Sequence, residues 1–376
     1  MASKQTSKET YILYFTLGVI LFVFICWIYK DYFTYYNIIS QQPYGNHPLT
    51  KSDSPTLYTW IIHGYIPDHN AGSEWMAHAM NVYLMREENQ KVAVITDKTS
   101  VKKYDGIPIV PRTDFIESTK LLEFTKLLFT HHVREPNAIN TAILTKTPVV
   151  LVCHDDGRYK FIKKYKTILP KNLYLIANSE WLKKYYAPLS LPTFVLYPPV
   201  YWQDYSVSTT KEFITLINVN LNKGGEVFVK IAKKMPEYRF LGVKGAYNKQ
   251  YIDTRLNNIL YLDSTPEIKN IYSRTGILLM PSKSESWGRT AVEAMSSGIP
   301  VIAHPTPGLL ESCGNAGIFC DRNDIDSWIK EIRKLKTDST YYEEKSKACL
   351  ARSRELDPEP QLANMSKWLS EIKWKE

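Results

Sequence analysis

Cysteine is scarce in this chain and nowhere clustered. The five residues, Cys26, Cys153, Cys313, Cys320 and Cys349, are scattered, odd in number, and form no C-x-x-C pair. That argues against a disulfide framework and a cysteine zinc site, and leans toward a reducing compartment for the bulk of the chain. Internal repeats and low-complexity segments are also lacking, which removes repeat architectures. Negative charge falls short of positive: 38 Asp and Glu stand against 47 Lys and Arg, a formal +9. Such a balance favours phosphates, nucleic acid or an acidic membrane surface without choosing among them. No recognised nucleic-acid-binding motif accompanies it, and nucleic acid is not expected as a partner. A charged fraction of 23% beside an apolar fraction of 44% is that of packed cores and not of a disordered chain.

What is present fits two domains of about 150 residues each. One long hydrophobic run stands apart, from Thr10 to Tyr29, between Lys8-Glu9 and Lys30-Asp31. At about 1.5 Å per residue it spans roughly 30 Å, the thickness of a bilayer core. Tyr11 and Tyr14 at one end and Trp27 and Tyr29 at the other suit the two interfaces. Residues 11–29 therefore read as a single-pass N-terminal transmembrane anchor after a tail over 1–10, with a cleaved signal peptide as the alternative. Lys4 and Lys8 before the span and Lys30 after it leave its orientation open. Residues 30–55, polar and holding Pro43, Pro48 and Pro55, read as a stem.

From Leu57 short apolar strands alternate with amphipathic helices, the pattern of a parallel α/β protein. Strands are expected at Leu57–His63, Val92–Thr96, Ile107–Val110, Leu127–Thr130, Val149–Cys153 and Leu173–Ala177. A helix from Ser73 is expected to bury Met76, Ala79, Met80, Tyr83 and Leu84 and to leave Glu87 and Glu88 in water. The first domain runs over 56–202. A second series over 203–355 has strands at Phe213–Val219, Tyr238–Val243, Ile259–Leu262, Ile277–Met280 and Val301–Ala303, then helices near 324–336 and 340–354. Residues 356–376 end in a helix with Leu362, Met365, Trp368, Leu369 and Ile372 on one face.

The most informative stretch joins the strand Ile277–Met280 to the strand at Val301. It reads Pro281-Ser282-Lys283-Ser284-Glu285-Ser286-Trp287-Gly288-Arg289, then Glu293-Ala294-Met295-Ser296-Ser297-Gly298-Ile299-Pro300. Seven residues separate Glu285, in the loop, from Glu293, about two turns into the helix. A loop at the carboxyl end of a parallel strand, opening onto a helix N-terminus, is where open α/β sheets hold ligands. Carboxylates there can accept hydrogen bonds from sugar and ribose hydroxyls. This segment closely resembles the donor-sugar motif of retaining, nucleotide-sugar-dependent glycosyltransferases of the group 1, or family four, type. The resemblance implies a GT-B fold, two Rossmann-like domains facing across a cleft, with the last helix crossing back onto the first domain.

Other loops carry the resemblance further. Asn218-Val219-Asn220-Leu221-Asn222-Lys223-Gly224-Gly225 matches the family's donor-phosphate loop, where a lysine at a helix start neutralises a diphosphate. The family usually has Arg five positions before the Lys; here that position is Asn218, which removes one charge. Val149 to Cys153 leads into His154, and the family has a His there near the reacting sugar. His63 to Glu74 follows the first strand, and its close, Gly72-Ser73-Glu74, matches a loop near the donor phosphates or the acceptor. Pro305 to Glu311 resembles the loop that passes the sugar and phosphates, with Gly308 allowing close backbone approach. Asn178-Ser179-Glu180-Trp181 resembles a supporting segment.

The resemblance thus implies Glu285 and His154 as catalytic residues. It implies donor binding by Lys223, Asn218, Gly224, Glu293, Ser286, Trp287, Gly288 and Gly308, with Gly72 and Ser73 in the acceptor or phosphate loop. The expected enzyme transfers a hexose from a nucleotide sugar, such as a UDP- or GDP-hexose, to an acceptor hydroxyl on a glycan or lipid-linked acceptor, at a membrane. No cofactor and no metal is expected. Asp324-Ile325-Asp326 spells an Asp-x-Asp but sits at a helix start, where Asp caps well, and His131-His132 lacks partner ligands at useful spacing. The basic-aromatic run Arg158 to Lys166 suits lipid headgroups or a phosphorylated acceptor, or a solvated helix face. Rival readings are a GT-B sugar-nucleotide epimerase or phosphorylase, and a catalytically silent anchored scaffold that binds nucleotides or glycans.

Overall fold

A computed structural model describes residues 57–372, apart from residue 170 and residues 246–248. The expected tail over 1–10, anchor over 11–29 and stem over 30–55 lie outside the described residues. Among the described residues no helix is long and apolar enough to cross a membrane.

Two sheets organise the chain. The first contains β1 (Leu57–Ile61), β2 (Lys91–Thr96), β3 (Lys103–Tyr104), β4 (Ile107–Pro111), β5 (Thr125–Thr130), β6 (Val149–Cys153), β7 (Leu173–Ala177) and β8 (Thr193–Val195). Their order is β3-β4-β2-β1-β5-β6-β7-β8, parallel throughout except for the edge pair β3–β4. The second contains β9 (Phe213–Ile217), β10 (Phe240–Val243), β11 (Ile259–Leu262), β12 (Thr275–Met280), β13 (Val301–Ala303) and β14 (Ile318–Phe319). It is wholly parallel, in the order β11-β10-β9-β12-β13-β14. Strands such as Val149–Cys153 and Thr275–Met280 are buried along their whole length. With no polar face to turn to water, they need helices on both sides, which the crossovers between parallel strands supply.

In each sheet the chain first builds outward from β1 or β9, then jumps back to the other side, to β5 or β12. Loops leaving the carboxyl ends of strands flanking such a reversal part in opposite directions and open a crevice. The loops after β9 and β12, and those after β1 and β5, are the ones so placed, and the loop after β6 lies next to that of β5.

Three short edge strands, β3, β8 and β14, were not anticipated, because two or three residues carry no readable period. β1 stops at Ile61 and not His63, and β10 starts at Phe240 and not Tyr238. β9 stops at Ile217 because Asn218 adopts φ +66°, a left-handed conformation that cannot extend a strand. The helix Gly72–Arg86 buries Met76, Met80, Tyr83 and Leu84 as expected. Ala79 is only half-buried; Ala77, His78 and Asn81 go inside in its stead. The Trp60 indole N–H donates to Asn81 Oδ1 at 2.7 Å, and the Asn81 amide donates to the Tyr65 hydroxyl at 3.1 Å. A polar side chain with both ends satisfied can replace an apolar one in the core.

The helix Glu359–Ser370 returns to the first sheet. Leu362, Met365, Leu369 and Ile372 join the core built on Trp60, Val94 and Phe129. Trp368 lies against Tyr174 and Phe194 with ring centroids 6.1 and 5.5 Å away. Each fully buried aliphatic side chain here is worth about 1.5–3 kcal/mol, enough to tie the end of the chain to its beginning. Between the sheets, Tyr201 packs on the first core and Tyr205 on the second. Cys153, Cys313, Cys320 and Cys349 are buried free thiols.

Candidate functional site

The loops after β9 and β12 touch at the reversal of the second sheet. The Lys283 N–H donates to the Asn222 carbonyl at 2.8 Å. Gly224, at φ +92°, allows the approach: a Cβ there would lie 2.5 Å from Pro281 Cγ and 2.6 Å from the Pro281 carbonyl oxygen. The contact brings Lys223 Nζ to 2.5 Å from Glu285 Oε1, and the buried Ser282 hydroxyl donates to the same oxygen at 2.8 Å. Lys223 stands at the start of the helix Gly225–Lys234, which is held down by Val227, Phe228 and Ile231. The ammonium and the positive end of the helix therefore point to one place.

Asn218, where the resemblance leads one to expect Arg, pins this loop. Its left-handed backbone suits asparagine, and its Oδ1 accepts from Asn220 Nδ2 at 2.8 Å and from Gln250 Nε2 at 3.4 Å. Asn220 Oδ1 in turn accepts the Lys223 N–H at 2.9 Å.

A cavity of about 190 Å³ lies between the two domains. Of the residues named from sequence, His154, Lys223, Glu285 and Ser286 line it. Asp155, Asp156, Trp181 and Ser284 line it too; Trp181 and Ser284 sit inside motifs already noted and Asp155 and Asp156 directly follow His154, but nothing local distinguishes them. Trp181 shapes the cavity and holds it together, its indole N–H donating to the Ser286 carbonyl at 2.6 Å. Beside it, Asn178 Nδ2 donates to Ser286 Oγ at 2.8 Å. The Glu311 carboxylate accepts the backbone N–H groups of Glu180 and Trp181 at 2.7 and 3.2 Å, capping the helix Glu180–Tyr186 from the opposite domain. Gly308 packs on the back of the Glu285 loop, where a Cβ would lie 2.4 Å from the Glu285 carbonyl oxygen.

Other named residues do not reach the cavity wall. Glu293 accepts from Arg289 Nε at 2.7 Å and from the Tyr272 hydroxyl at 2.9 Å. Arg289 also donates to the Pro199 carbonyl at 2.6 Å and the Tyr205 hydroxyl at 2.7 Å. Burial works against the Arg289 charge, but Tyr205 and Glu293 outweigh it and raise its pKa. Trp287 is buried under Tyr197, rings 5.5 Å apart and nearly parallel, in an apolar cluster with Val200 and Val292. Gly288, at φ +96°, starts the helix Arg289–Met295. Gly72 faces Arg289 across the domains, a Cβ there coming to 3.9 Å from its Cδ, and the Ser73 hydroxyl donates to Glu74 Oε2 at 2.7 Å. Asp324 caps its helix by accepting the Ser327 N–H at 3.2 Å, and Asp326 pairs with Lys234 at 2.8 Å. In the helix Tyr159–Lys166 the one buried residue is Ile162.

His131 and His132 follow β5, and His154 follows the neighbouring β6. Sequence spacing showed the first two no partner; the sheet supplies His154, with the three ring centroids 5.0–5.2 Å apart. Burial, reinforced by the other histidines, holds His131 and His154 well below the usual imidazole range, so both are neutral at pH 7.

The neighbouring Glu135 is pushed up from 4.5 to about 7 by burial, against the pull of Arg158. The folded state thus holds this proton more tightly than the unfolded chain does. The stability it contributes is greatest below pH 4.5 and erodes as the pH climbs to about 7. Glu135→Gln is expected to stabilise the protein more at pH 8 than at pH 5, by on the order of 2 kcal/mol. Denaturant titrations of both proteins at the two pH values measure this; an equal difference at both would contradict it.

Comparison with known proteins identifies the second domain. Residues 206–355 match the family model of glycosyl transferases group 1. This second domain, residues 206–355, is therefore a group 1 glycosyl transferase domain. The chain is similar to O-antigen chain mannosyltransferase B of Escherichia coli, 31% identical over 105 residues, covering 27% of this chain and 28% of that protein. It is also similar to D-inositol 3-phosphate glycosyltransferase of Paenarthrobacter aurescens, 33% identical over 134 residues, covering 31% and 33%. The chain thus spans about a third or less of the length of these curated relatives. Solved structures show the fold over a longer reach. Anabaena HepE in complex with UDP-glucose superposes with a TM-score of 0.68 at 15% identity, over 84% of this chain and 99% of that one. Sucrose-phosphate synthase from Thermosynechococcus elongatus gives 0.66 at 15% identity, over 84% and 99%. The chain therefore has the two-domain GT-B fold.

Proposed function

We propose that the interdomain cavity holds a nucleotide sugar and that the enzyme transfers its hexose, with retention of anomeric configuration, to a hydroxyl of a glycan or lipid-linked acceptor. One observation carries this reading: Lys223 and Glu285, from two loops of the group 1 domain, meet in a cavity whose opposite wall holds His154. The names of the relatives, a mannosyltransferase and an inositol phosphate glycosyltransferase, and the UDP-glucose bound by HepE support the donor class.

The chemistry follows from the charges. As the anomeric C–O bond breaks, negative charge gathers on the departing diphosphate and positive charge on the sugar ring. Lys223 and the N-terminus of the helix Gly225–Lys234 take up the negative charge, the work that a metal ion would otherwise do. In exchanging its carboxylate partner for a phosphate, Lys223 releases Glu285 to accept hydrogen bonds from sugar hydroxyls. His154 lies beside the ring, and Asp155 and Asp156 bring negative charge to the wall facing the developing cation. Glu293, held by Arg289 and Tyr272 outside the cavity lining, has lone pairs left for the ribose diol of a donor that reaches past that lining. A closed interface made by Trp181, Asn178 and Glu311 keeps water from competing with the acceptor. Attachment to a membrane through residues 11–29 belongs to the same proposal.

A thermal-shift panel of UDP-, GDP- and ADP-hexoses on the full chain tests the reading. A bound donor at about 100 times its Kd adds about 2.7 kcal/mol, and Lys223→Ala should abolish most of the shift. If no nucleotide sugar raises the melting temperature, the proposal fails.

A further inference from the structure

We propose that His131, His132 and His154 form a binding site for one divalent transition-metal ion of the zinc type. One ligand atom from each of the three residues lies within 4.8 Å of the others. His131 is 3% exposed, and neither of its ring nitrogens has a hydrogen-bond partner among the described residues; His154 Nε2 is buried without one as well. Buried imidazole nitrogens are almost always satisfied, so orphan nitrogens on two neighbouring buried rings, His131 and His154, call for a partner. A cation that accepts lone pairs from all three rings is such a partner.

The backbone supports the arrangement. β5 and β6 are adjacent and parallel, and both histidine segments leave from their carboxyl ends. His132 sits at φ +53°, a left-handed conformation costly for a side chain of this size. Its ring stacks on that of His154 at 26°. Two carboxylates stand just outside. Glu74 Oε1 is 4.0 Å from His131 Nε2, and Asp155 Oδ2 is 3.9 Å from His132 Nδ1. Carboxylates so placed orient metal-binding imidazoles or complete the coordination sphere.

Donor chemistry selects the ion. Imidazole nitrogens suit Zn²⁺, Co²⁺, Ni²⁺ or Cu²⁺, whereas Mg²⁺ and Ca²⁺ require oxygen ligands. Tetrahedral coordination at about 2.0–2.1 Å per bond places the nitrogens about 3.4 Å apart, so the rings close in by roughly an ångström on loading. The site is separate from the donor contacts of Lys223 and Glu285 but shares His154 with the cavity. An ion held there engages a His154 nitrogen and lowers the rate of any chemistry in which that ring touches substrate.

The test needs no transferase assay. Full-length protein without a polyhistidine tag is stripped with a chelator and titrated with Co²⁺, following the visible d–d bands, and with Zn²⁺ by calorimetry. One equivalent is expected, with bands of tetrahedral or five-coordinate nitrogen ligation and no heat from Mg²⁺. His132→Asn, at a half-buried position, should weaken binding by more than about 100-fold, beyond the 10–100-fold typical of an outer-shell partner. His131→Asn should do the same, with circular dichroism confirming that it is folded. No stoichiometric Co²⁺ band, or a band and affinity unchanged in His132→Asn, overturns the proposal. Both readouts stand whether or not a nucleotide sugar binds.

Discussion

Glu285→Ala is expected to lower kcat/KM for hexose transfer by more than about 100-fold, the scale seen when one electrostatic group is removed from an active site. The substitution removes the acceptor that Lys223 and Ser282 share and leaves the ammonium without its carboxylate. It does not remove packing: the side chain lines a cavity and supports no core. The pair is partly exposed, so the melting temperature should move little. Glu285→Gln separates charge from shape, since the amide can still accept one hydrogen bond but cannot balance Lys223. The reading calls for a large fall in kcat in both variants. Retention of transfer within about threefold of wild type in Glu285→Ala, at matched donor and acceptor, would remove Glu285 from the site.

Gly308→Ala is expected to be as damaging for a different reason. The new Cβ would meet the Glu285 carbonyl oxygen and the Ser286 carbonyl carbon, each at 2.4 Å. Both are backbone atoms, so no side-chain rotation relieves the clash, and the loop that carries Glu285 must move. Its displacement also strains the contacts of Trp181 and Asn178 with Ser286, which join the domains. Overpacking of this kind costs about 1–3 kcal/mol, and a misplacement of about 1 Å at a reacting centre can cost about 100-fold in rate. Loss of both stability and transfer is therefore expected. Leu310→Ala, on the exposed side of the helix Pro307–Cys313 that also holds Gly308, should change neither by more than about twofold or about 0.5 kcal/mol. A Gly308→Ala protein with wild-type melting temperature and rate would show that the loop is not held as described.

Strand–loop–helix order was legible because parallel α/β chains advertise it. Buried strands are continuous apolar runs, helices keep a period near 3.6, and glycines mark the close approaches. The reading erred where local pattern was overruled. β9 ends early because Asn218 turns left-handed, and Asn81 displaces Ala79 from the core because Trp60 and Tyr65 satisfy its amide. Edge strands of two or three residues left no pattern at all.

The sequence by itself determined the two-sheet α/β class, the loops that carry Lys223, Glu285 and His154, and the last helix with its apolar face. Each is a local property, written within one turn or one strand. Tertiary structure alone decided that Lys223 meets Glu285 across 62 positions of chain, and that Glu311 caps a helix 131 positions away. It likewise drew His154 beside His131 and His132, tied Glu293 to Arg289 and Tyr272, and buried Trp287 under Tyr197. Those placements depend on which strands lie side by side and on how side chains share a closed volume, and neither is encoded in any single stretch of residues.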